Sequence, residues 1–192
     1  MSGRRNSLWI MVTDVVVRGN TRAIEWGPAI WSSVIAGVVF AVIEVALAWA
    51  VKGQSPWTPL HMIGAIGLGP DAMTPPDTFD LKIIGVAVLI HFALAILYGV
   101  ILAVIIQRLG TTTAVVVGAL YGLALYFINF YGFTRWFPWF ADARDWVSIL
   151  SHIVQSGLMA GLYKVMARPA AAAPPASGDM HDLRNLRHAH HH

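Results

Sequence analysis

The stretch VLIHFALAILYGVIL (residues 88–102) decides the fold. It lies inside an apolar run over about 83–106. At about 1.5 Å of rise per residue, a helix of that length crosses a hydrocarbon layer about 30 Å thick. The run would pass as lipid-facing helix but for His91. Polar groups inside a bilayer are costly, so the imidazole needs a reason.

Three further runs have a similar length: 28–51, 113–133 and 146–167. Together the four predict an all-α polytopic membrane protein, its transmembrane helices forming an antiparallel four-helix bundle. Composition agrees. Hydrophobic residues make up 57% of the 192 and charged residues only 12%. That charged share is about half that of a typical soluble domain. There is no Cys, which excludes disulfides, thiolate metal sites and Cys nucleophiles. Pro28 suits a first helical turn, and Gly110 in RLGTTT (108–113) is a candidate C-cap for the second span. RPAAAAPPASG (168–178) ends the fourth.

Residues 1–27 form a cytoplasmic or interfacial segment, 28–167 the transmembrane domain and 168–192 a disordered cytoplasmic tail. In the first segment Leu8, Met11, Val12, Val15 and Val16 recur at helical spacing, with Asp14 and Arg18 off that face. This pattern predicts an amphipathic interfacial helix rather than a cleaved signal peptide. In the tail, His188, His190, His191 and His192 carry no functional weight.

Arg4, Arg5, Arg18, Arg22, Arg108, Lys164, Arg168, Arg184 and Arg187 fall on one side of the spans. On the other, Lys52, Lys82, Arg135 and Arg144 are diluted by aspartates. Both termini are therefore expected in the cytoplasm of a bacterial inner membrane, multi-pass. Trp49, Trp57, Trp136, Trp139 and Trp146 mark the outer boundary. The net charge of +3 speaks to this orientation and not to nucleic acid. The first outer loop, 52–80, is long, and its LHMIGAIGLG core (60–69) is apolar enough to lie in the interface or dip into the membrane.

Five polar residues stand inside the spans: Glu44, His91, Asn129, His152 and Gln155. Counted inward from the outer ends, they fall at similar depth in the outer half of the bilayer. Each shares its face with small or hydroxyl-bearing residues: Gly37, Ala41 and Ala48 with Glu44; Ala87, Ala95 and Tyr98 with His91; Gly118, Gly122 and Tyr126 with Asn129; Ser148, Ser156 and Ala160 with His152 and Gln155. Small residues at this spacing mark packed faces, so the polar groups point into the bundle. Plainer roles exist for each. His91 can bond a carbonyl or Tyr98, His152 can be wet, and Asn129 and Gln155 can be interhelical glue. Glu44 has no Lys or Arg at its depth, which makes His91 its expected partner.

The candidate ligand-binding residues are thus Glu44, His91, Asn129, His152, Tyr98, Tyr126 and Gln155. They suit two non-enzymatic functions: a ligand- or ion-binding, transport-related protein, or an accessory subunit of a membrane complex. Lipid is the expected partner, with other subunits or a homo-oligomer beside it. His91, His152 and Glu44 offer a metal set for zinc, iron or copper. The alternative is a b-type haem with His91 and His152 as axial ligands. No serine triad, phosphate loop or paired-carboxylate motif is evident.

A weak repeat runs through the chain. Gly37-x-x-x-Ala41 and Gly118-x-x-x-Gly122 are each followed by Pro-Trp, at Pro56 and Pro138, and then by a span bearing one histidine. The Gly/Ala-rich early span with SPWTPLHMIGAIGLG (55–69), and the later WFPWFADARDWVSILSHIVQSGLMAGLY (136–163), resemble the small four-helix bacterial inner-membrane proteins of the YagU-like type. The resemblance covers about 37–163 and implies a topology and the placing of His152, not a chemistry.

Overall fold

The computed structural model describes residues 24–167. The expected amphipathic helix near Leu8–Val16 and the histidine-rich tail lie outside them. Among the described residues all regular structure is helical. Helix α1 is Trp26–Ala50, α2 is Thr58–Leu68, α3 is Leu81–Ile106, α4 is Thr111–Phe127 and α5 is Trp146–Met166. α4 runs on through a π-helical turn, Ile128–Gly132, and a 3₁₀ turn, Phe133–Arg135. Short 3₁₀ segments at Pro70–Met73 and Pro138–Ala143 lie in the connections before α3 and α5.

Three stretches are long and apolar enough to cross a membrane: Trp26–Ala50, Leu81–Ile106 and Thr111–Arg135. They make this a protein suited to the bilayer. On α1, Trp31 and Trp49 are both exposed. Eighteen residues separate them, or about 27 Å of helix, close to the thickness of a hydrocarbon core. α5 is not among the three. It carries Ser148, Ser151, His152, Gln155 and Ser156 on its buried side and spends its surface on its neighbours. A helix sheltered by protein can give up apolar residues that lipid contact would demand.

Packing follows the small residues. At Gly37 an added Cβ would stand 3.3 Å from Ala95 and 3.4 Å from His91 Nε2, so α1 lies close on α3. Further in, one at Gly99 would collide with Ser33 Oγ and reach Met159, where α3, α1 and α5 meet. At Gly118 it would come 2.6 Å from the Ser156 carbonyl, and at Gly122 it would run into the His152 carbonyl. α4 and α5 are therefore in backbone contact. α1 also packs along α5, whereas α3 and α4 barely touch. The inner core is Leu102, Ile106, Met159 and Tyr163 with alanines between. A smaller outer core joins Met62, Tyr126, Phe130 and Ala143.

α2 lies along the first turns of α3. Gly64 sits against Ile83, and Gly67 against Val86 and Ile90. Both contacts progress in the same sense, so α2 and the start of α3 point the same way. His61, fully buried, ties the returning chain: Nδ1 lies 2.6 Å from the Ala72 carbonyl and Nε2 2.9 Å from that of Thr78. Trp139 Nε1 donates to the Met62 carbonyl at 2.9 Å, joining the two outer loops.

Helix ends differ from the expectation at one point. Gly110 does not cap α3; with φ −65° it is the N-cap of α4. Among the described residues the glycines with positive φ are Gly53, after α1, and Gly69, after α2. The aspartates expected only to dilute outer charge do more. Asp80 accepts from the Lys82 and Ile83 amides. Asp145 accepts from the Ser148 amide and pairs with Lys52 at 2.6 Å.

Candidate functional site

Between the two cores lies a cavity of about 270 Å³. α3 contributes His91, Leu94, Ala95 and Tyr98; α4 and its π turn contribute Tyr121, Leu125, Asn129 and Phe130; α5 contributes His152, Gln155, Ser156 and Met159. Phe40 closes it from α1, Ile63 and Ile66 from α2, and Phe133, Phe137 and Phe140 from the outer loop. It fills the space where α3 and α4 stand apart. Among the described residues no carboxylate, lysine or arginine lines it.

A chain of hydrogen bonds crosses one wall. Tyr98 Oη donates to Asn129 Oδ1 at 3.1 Å, and Asn129 Nδ2 lies 3.4 Å from His152 Nε2. His152 Nδ1 lies 2.8 Å from the Ser148 carbonyl, and Ser148 Oγ donates to Glu44 Oε1 at 3.1 Å. A carbonyl only accepts, so His152 carries its proton on Nδ1, and Nε2 accepts from the Asn129 amide. Tyr121 Oη donates to the Tyr98 carbonyl at 3.1 Å, a second tie across the α3–α4 gap. Asn129 reaches His152 from the π turn, where the helix widens by one residue and re-aims its side chains.

The structure brings His91, Tyr98, Asn129, His152 and Gln155 to one cavity. Tyr126 stays behind its wall, 6.2 Å from the His152 ring between centroids. Glu44 lies outside it as well, on a separate cavity of about 60 Å³ that His91 and Phe40 also line. The expected Glu44–His91 pair does not form. His91 Nε2 donates instead to the Gly37 carbonyl at 2.9 Å. Gly37 has no side chain to keep the ring away, and a helical carbonyl has a second lone pair to offer. Glu44 turns to Ser148, leaving its Oε2 buried without a hydrogen-bond partner among the described residues.

The metal set is not assembled either. No three His, Asp or Glu among the described residues gather around a point. His91, His152 and Glu44 each engage a different partner. The Phe40 ring stacks on His91 at 5.6 Å and meets His152 edge-on at 5.1 Å, so a phenyl group stands against both imidazoles.

Three contributors were not among the candidate ligand-binding residues. Phe40 separates the two cavities, Ser148 serves both Glu44 and His152, and His61 holds the first outer loop. Ser148 had a signal, standing one turn before His152 on the same face. Phe40 and His61 had none. The two halves of the sequence repeat correspond in space, since each sets a glycine against the histidine-bearing helix. They diverge in detail: the carbonyl that His91 bonds lies on another helix, and the one that His152 bonds lies on its own.

Comparison with protein-family models, with curated proteins and with solved structures finds no match to the chain.

Proposed function

We propose that the chain is a multi-pass protein of a bacterial inner membrane that binds a small lipid-soluble molecule in the cavity between α3 and α4. In this reading α5 is the fourth span, the four long helices form an antiparallel ring, and both termini are cytoplasmic. The order of the glycine contacts along α1/α3 and α4/α5, and the bias of basic residues, support that arrangement. α2 is then a short re-entrant helix, sheltered from lipid on the side that packs α3.

The cavity carries the functional reading. Packed interiors leave few voids larger than a water molecule. A space of about 270 Å³, apolar except for a few convergent polar groups, has the form of a ligand site. The absence of a charged side chain from its lining among the described residues disfavours an ion as cargo.

The test compares the wild type with Leu94→Trp, which fills the cavity, and Leu120→Trp, on the exposed face of α4. In nanodiscs, naphthalene should raise the unfolding temperature of the wild type and of Leu120→Trp but not of Leu94→Trp. Equal responses from all three proteins would remove the reading.

A further inference from the structure

Gln155 is nine-tenths buried and lines the cavity, yet its amide makes no hydrogen bond among the described residues. Buried side-chain amides seldom lack partners, so this one stands out. Three of its polar neighbours have already committed their donors. Tyr98 donates to Asn129, Tyr121 to the Tyr98 carbonyl, and His91 to the Gly37 carbonyl. Those three leave acceptor capacity: two phenolic oxygens and the second ring nitrogen of His91. Gln155 adds open donors and an open acceptor, beside the second Nδ2 hydrogen of Asn129 and the Ser156 hydroxyl.

Resting on the ligand-site reading above, we infer that the occupant is a flat, uncharged aromatic molecule whose polar group both donates and accepts a hydrogen bond, in the manner of a phenol or quinol. The donor is required because the open positions around Gln155 are mostly acceptors. The head is neutral because no Lys, Arg, Asp or Glu among the described residues lines the cavity to balance a charge. The aromatic body follows from the walls. Phe40, Phe130, Phe133, Phe137 and Phe140 all face the space, and such rings favour edge and offset contacts with another ring. The size follows from the volume. A cavity of about 150 Å³ accepts benzene, so about 270 Å³ accepts a second ring or a ring with substituents.

The experiment measures unfolding-temperature shifts in nanodiscs with 2-naphthol, naphthalene and 2-naphthoate, each at the same concentration in the membrane. Dissociation constants come from titration of the shift. 2-Naphthol should bind the wild type about 2- to 10-fold more tightly than naphthalene, the worth of one net hydrogen bond. In Gln155→Leu the two should become equal, with naphthalene unchanged. Gln155→Met, closer in shape, repeats the test should the leucine variant not fold. The wild-type comparison needs no variant. If naphthalene binds and naphthol binds no better, or the preference survives both substitutions, the head-group inference falls while the cavity reading stands. If naphthoate binds more tightly than naphthol, the neutral head is overturned. If no probe shifts the wild type more than Leu94→Trp, the cavity reading fails and this inference with it.

Discussion

Ser148 serves two helices, its hydroxyl donating to Glu44 and its carbonyl accepting from His152. A double-mutant cycle isolates the first of these bonds. Ser148→Ala and Glu44→Met should each destabilise, and the double mutant should lose less than their sum by about 1 kcal/mol. Glu44→Met with His91→Phe should couple less than Glu44→Met with Ser148→Ala, because the two side chains bond different partners and share only a cavity wall. Reversible unfolding in mixed micelles measures both cycles, and coupling confined to Glu44–His91 would contradict the geometry. The sequence indicated that Glu44 needed a partner and that few candidates existed. It did not show that a neutral hydroxyl on α5 lies nearer than the imidazole on α3, since that depends on helix rotation and not on depth.

Along α4, the glycines and the π turn set the site together. Gly122 holds α4 against the α5 backbone at His152, and the widened turn beyond it carries Asn129 toward the same histidine. Gly122→Ala should therefore cost about 1–3 kcal/mol, because the added methyl meets a carbonyl that cannot step aside. Gly85→Ala on α3 is the control. Nothing lies within 4 Å of its added Cβ, so it should be neutral or stabilise by up to about 1 kcal/mol. Circular dichroism during thermal unfolding ranks the two. Equal losses would mean that the α4–α5 contact is looser than described. The sequence located the Gly118/Gly122 face through its spacing. It carried no sign of the π turn, which arises where the helix meets the outer loop and Arg144 donates to the Phe130 carbonyl at 2.7 Å.

Across the whole molecule, the ring of helices closes tightly on three sides and loosely between α3 and α4, where Tyr98 and Tyr121 span the gap. The proposed topology is open to a direct test because the chain has no cysteine. Single cysteines at Asp77 and Asp142 should label from the periplasmic side with an impermeant maleimide. One at Thr112 should label only after the inner face is opened. All three positions are exposed. Labelling of Thr112→Cys together with Asp77→Cys from one side would rule out the alternating arrangement.

By itself the sequence determined an all-helical chain with apolar helices suited to a bilayer, and the small-residue faces along them. Both follow from local quantities, the length of an apolar run and the spacing of small residues, and each helix expresses them independently of its neighbours. Only the tertiary structure decided which polar groups meet. His91 of VLIHFALAILYGVIL turns to a glycine carbonyl and to the cavity wall, and Glu44 turns to Ser148. Those choices depend on rotations of whole helices about their axes, set by close glycine contacts among α1, α3, α4 and α5 at once. No run of residues read alone contains them.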